Sequence, residues 1–159
     1  MGDMSFSRKL TLSALVAALY VAVMAATQGF AFGQFQVRIA TALYALSGIF
    51  PFLVLPLGFA NFLSNALLGG LGPLDMAGGM LIGWLTCGVI AFFRKSRYSP
   101  LIAAATITFV TGLGVASWLS YLLNVPYAVM AVSLVGGQAV CGVVGGLLLA
   151  ALKRRFPEL

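Results

Sequence analysis

The chain has 159 residues, 62% of them hydrophobic and only 8% charged, with nine Lys and Arg against three Asp and Glu for a net charge of +6. A soluble domain carries about a quarter charged residues. This chain has too few to coat a water-facing surface, so its composition demands lipid as solvent. It has no histidine, and Asp3 and Glu158 lie in the tails, so it cannot build a carboxylate pair, a His-based triad or a metal cage of histidines and carboxylates. That argues against an enzyme. Asp75 alone is a poor proton relay. No P-loop or Gly-rich nucleotide motif is present, so the chain is expected to hydrolyse no ATP and to bind no cofactor. Nucleic-acid binding is disfavoured, because the basic residues occupy no broad aqueous surface. Cys87 and Cys141 sit in apolar runs without CxxC spacing and read as small buried residues.

A membrane span needs about 20 mostly apolar residues, which leaves room for roughly five to seven. The first apolar run lacks a cleavage-site pattern and reads as a retained helix, 10–28. Gly29 to Ala40 is a loop carrying the lone Arg38. Spans are expected at 41–55 and 57–71, divided near Pro51 and Pro56. One long broken helix with a re-entrant piece is the alternative there. After the turn Gly72-Pro73-Leu74-Asp75, in which Asp75 can cap the next helix, come spans at 76–93, 101–123 and, beyond Asn124-Val125-Pro126, 127–152. Arg8 and Lys9, then Arg94, Lys95 and Arg97, then Lys153, Arg154 and Arg155 hold eight of the nine basic residues. The positive-inside rule makes all three clusters cytoplasmic. Four spans before the basic loop and two after it satisfy that rule. The expectation is therefore an all-α, multi-pass single membrane domain (1–159) of six transmembrane helices, with both termini cytoplasmic. No internal repeat suggests an inverted-repeat transporter.

Polar residues collect toward the outer half on this topology. Gln34 and Gln36 flank Arg38 in the first outer loop, Asn61 and Asn65 share one face of the third span, and Asp75 lies in the second outer loop. Polar groups inside a bilayer are costly unless paired, which makes this set a candidate site for a small polar ligand. Trp84, Trp118 and Tyr121 offer a stacking face for a flat ring. Each has a plainer reading: Arg38 snorkelling to headgroups, Asp75 as a cap or as a partner of Arg38, the asparagines as helix glue, and the aromatics as interfacial anchors. Ala14, Ala18, Ala22 and Ala26 recur every fourth residue on the first span, broadened by Ser13 and Ala17. Such a small-residue face lets another helix approach closely, in this chain or in another.

Phe32-Gly33-Gln34-Phe35-Gln36-Val37-Arg38-Ile39 with Leu43, and Leu74-Asp75 with Gly78 and Gly79, resemble the two signatures of the QueT family. These are substrate-binding S components of energy-coupling factor (ECF) vitamin transporters, associated with 7-deazaguanine precursors of queuosine. The resemblance extends over most of the chain. It implies six helices in the prokaryotic plasma (inner) membrane, binding of a small nutrient from outside, and docking of the first helix on a transmembrane coupling subunit. Two ATPase subunits then supply the energy, and toppling of the S component delivers the nutrient inward. On this reading the substrate contacts are expected from Gln34, Gln36, Arg38, Asn61, Asn65 and Asp75, and the stripe of Ala14, Ala18, Ala22 and Ala26 matches the family's docking face. Thr41 departs from the pattern, which has Glu three residues after the Arg, and this points to a less cationic deazapurine or to another vitamin-like nutrient. A self-sufficient channel or facilitator and an assembly subunit without ligand are the alternative functions.

Overall fold

The structure, a computed structural model, describes residues 4–32, 36–69 and 71–155. Among these residues five helices are long and apolar enough to cross a membrane. They are α1 (Phe6–Ala26), α2 (Pro51–Gly69), α3 (Pro73–Lys95), α4 (Ser99–Leu123) and α5 (Tyr127–Arg155). The sixth apolar segment, Ile39–Gly48, is a 3₁₀ helix of ten residues. At about 2 Å of rise per residue it covers about 20 Å, less than the roughly 30 Å hydrocarbon core of a bilayer.

The break after it follows from Pro51. A residue before proline is pushed out of the helical region, and Phe50 sits at φ −117°, ψ 85°. Pro51 then starts α2, whose α-helical part runs from Val54. Pro56 falls inside that part's first turn, where its missing N–H costs nothing. Of the two prolines near which a division is expected, the break falls before Pro51, at 49–50, and not at Pro56. α3 likewise begins earlier than 76: Gly72, at φ 95°, is its N-cap, Pro73 opens it, and Asp75 lies in its first turn without capping it. The turn at Asn124 forms as its sequence suggests, with Asn124 left-handed at φ 54° closing α4 ahead of Pro126.

The bundle is inverted relative to a soluble protein. Leu10, Leu15, Leu19, Leu81, Leu85 and Leu147 are exposed, whereas Arg38, Thr41, Asn61, Asn65, Asp75 and Gln138 are buried. Lipid accepts the former, and the latter must find partners inside. The 3₁₀ helix lies at the centre, with seven of its ten residues buried, packed against α1, α3 and α5. Its Tyr44 stacks on Tyr20 of α1 at 5.7 Å between ring centroids.

Candidate functional site

The chain leaves α1 through one helical turn, Gln28–Ala31, which ends at Phe32. Gln34 lies outside the described residues. At Gln36 the backbone turns left-handed, with φ 42°, a conformation uncommon for a residue with a side chain and frequent at functional sites. Gln138 of α5 holds this stretch: its amide nitrogen Nε2 donates to the Gln36 carbonyl at 3.3 Å, while its Oε1 accepts from the Thr41 hydroxyl at 2.9 Å.

The stretch delivers Arg38 into the bundle, where only 3% of its surface remains exposed. Nη1 donates to Oδ1 of Asn65 at 3.1 Å and to Oδ1 of Asn61 at 3.4 Å, and Nε donates to the Ala31 carbonyl at 3.4 Å. Arginine can only donate, so both asparagines must turn their oxygens to it and their amide nitrogens away. Asn65 Nδ2 then reaches the Asp75 carbonyl at 3.1 Å, and Asn61 Nδ2 reaches the Gly79 carbonyl at 2.9 Å and the Tyr44 hydroxyl at 2.8 Å. Tyr44 continues to the Tyr20 hydroxyl at 3.2 Å. Asn65 opens a π-helical turn, 65–69, at the end of α2, the kind of irregularity that often marks a functional position.

Asp75 is 1% exposed. One carboxylate oxygen accepts from Trp118 Nε1 at 3.0 Å, and the other, Oδ2, has no partner among the described residues. Arg38 and Asp75 thus share the Asn65 carboxamide without bonding to each other. A helix N-terminus steadies a negative charge, but a buried carboxylate oxygen with nothing to accept is costly.

Two glycines let α3 carry this arrangement. A Cβ on Gly79 would meet Asn65 Nδ2 at 2.7 Å, and one on Gly78 would meet the Trp118 ring at 2.9 Å. Of the three aromatics expected to stack on a ligand, Trp118 alone reaches the cluster. Trp84 packs on Phe59 and bonds the Leu55 carbonyl, about 13 Å along α3 from Asp75, and Tyr121 is exposed.

A cavity of about 320 Å³ opens beside the cluster. It gathers Phe32 and Gln36 after α1, Gly69 at the end of α2 and Leu71 beyond it, Leu123 at the end of α4 and Val125 beyond it, and Val129, Met130 and Ser133 of α5. Mostly apolar walls with a few polar groups suit a small ligand. Arg38, Asn61, Asn65 and Asp75 do not line it. Phe32 stands between, in the wall of the cavity and also against the guanidinium, whose carbon lies 4.9 Å from its ring centroid. Phe32, Ser133 and Gln138 were not singled out as contacts from the sequence. The closeness of Phe32 to Arg38 in the chain was a signal for the first, but nothing local marks the other two.

On α1, Ala14, Ala18, Ala22 and Ala26 are all exposed, so this chain's own bundle does not use the small-residue face. Among the described residues no cluster of His, Cys, Asp and Glu can hold a metal ion.

No curated protein and no solved structure matches the chain. A family of transporters, not of enzymes, does: the QueT transporter family model matches residues 10–154, and the chain, a multi-pass membrane protein, belongs to that family.

Proposed function

We propose that the chain is the S component of an ECF-type importer in a prokaryotic plasma membrane, with six membrane segments and with its termini and basic loop on the cytoplasmic side. It captures a small, flat, polar nutrient from outside, and a 7-deazaguanine precursor of queuosine fits best. The observation that carries this reading is the buried Asp75 carboxylate with one oxygen unpartnered, beside an Arg38 whose Nη2 makes no hydrogen bond among the described residues. An amino-pyrimidinone ring offers both complements, N–H donors for Asp75 and a planar π-face for the Arg38 guanidinium. Asn61 and Asn65 hold Arg38, and Gln36 and Gln34 extend the contacts from the loop.

Thr41 supports a ligand of low positive charge. It is fully buried and its hydroxyl is engaged with Gln138 and the Arg38 carbonyl, so this position presents no carboxylate to an amine. The exposed face of Ala14, Ala18, Ala22 and Ala26 suits close packing of a transmembrane coupling subunit. Two ATPase subunits supply the energy, and this chain binds no cofactor of its own.

The test is extraction of bound small molecules from the purified chain for mass spectrometry, followed by calorimetric titration of 7-deazaguanine and 7-aminomethyl-7-deazaguanine. Binding by the wild type that is lost in Asp75→Asn and Arg38→Ala is expected. A correctly folded chain that binds neither compound would overturn the deazapurine assignment.

A further inference from the structure

Phe32 belongs to two environments at once. Its ring lines the 320 Å³ cavity and also covers the Arg38 guanidinium at 4.9 Å. The same ring fills the space left by Gly69, where an added Cβ would overlap it. The Arg38 guanidinium therefore lies behind a phenyl ring. That ring is half-buried and follows the last helical residue of its turn. Arg38 does not depend on the ring for its position, since Ala31, Asn61 and Asn65 hold it by hydrogen bonds.

We propose that Phe32 is a specificity-determining residue that acts by exchange. Its ring occupies the Arg38 face in the empty protein, and the flat heteroaromatic ring of the incoming ligand displaces it and takes over that face. The proposal rests on the functional reading above and deepens it. Stacking on a guanidinium requires a planar π-system, so a saturated polar solute of equal size cannot replace what Phe32 gives up. A ligand that removes its own competitor also pays for that displacement, and its apparent affinity is lowered by the fraction of molecules in which the ring has not moved.

The experiment is stopped-flow mixing of 7-deazaguanine with the purified chain, followed by tryptophan emission, in wild type, Phe32→Ala, Gly69→Ala and Asp75→Asn. Phe32→Ala removes the competing ring. Gly69→Ala keeps the phenyl group and pushes it off its seat. Both are expected to raise the association rate by about fivefold, the size of a modest cation–π contact. If Phe32 were simply a wall on which the ligand stacks, Phe32→Ala would speed dissociation and Gly69→Ala would narrow the cavity and slow entry. Binding that requires Asp75 but associates no faster in either variant would overturn the exchange and leave the functional reading standing. No binding to the wild type would overturn both.

Discussion

Trp118 donates its indole N–H to one oxygen of the Asp75 carboxylate at 3.0 Å and leaves the other oxygen with no partner among the described residues. A buried carboxylate is normally paired on both oxygens, and here the pairing is incomplete.

Asp75→Asn removes that charge while keeping the shape. The free protein should be at least as stable as wild type, because a desolvated carboxylate has been neutralised. Ligand affinity should fall by roughly 1–3 kcal/mol. Thermal unfolding in detergent and calorimetric titration of 7-deazaguanine measure the two effects separately. A loss of affinity that tracks a loss of folded protein would count against a direct contact.

Arg38→Lys keeps the positive charge but not the fork. A lysine ammonium cannot span Ala31, Asn61 and Asn65 as the guanidinium does. Binding should weaken by about 1–3 kcal/mol even though the net charge is unchanged. Wild-type affinity in this variant would show that Arg38 acts as a point charge alone.

Gly79→Ala places a Cβ 2.7 Å from Asn65 Nδ2, whereas an added Cβ on Gly88 of the same helix meets nothing within 4 Å. The first substitution should cost about 1–3 kcal/mol of stability and weaken binding as the asparagines are forced off Arg38. The second should be neutral or stabilising by up to about 1 kcal/mol. Paired thermal melts of the two variants read the difference.

Ala18→Leu widens the exposed face of α1 without touching the cluster. Substrate binding by the isolated chain should be unchanged, and uptake by cells that supply the coupling and ATPase subunits should fall at least tenfold, to roughly the loss expected from an overpacked helix contact. Undiminished uptake would place the docking surface elsewhere.

The sequence by itself determined the solvent, the class and the candidate polar residues. Too few charges to coat a soluble surface, long apolar runs and three basic clusters are properties of composition and order, so they require no knowledge of contacts. The helical spacing of Asn61 and Asn65 put both on one face, and the four-residue period of Ala14 to Ala26 marked a close-packing stripe, because a helix makes neighbours of residues three and four apart. Tertiary structure alone decided how these parts meet. The stripe is left bare because α1 packs through Val16, Tyr20 and Met24 instead. Thr41 finds Gln138, and Asp75 finds Trp118, over separations of 97 and 43 residues, which no local period encodes. The second apolar segment became a short 3₁₀ helix because Pro51 and the crowded bundle centre set its length. Arg38 and Asp75, opposite charges that the sequence invites one to pair, make no ion pair among the described residues, because Asn61 and Asn65 take the guanidinium and the Trp118 indole takes one oxygen of the carboxylate.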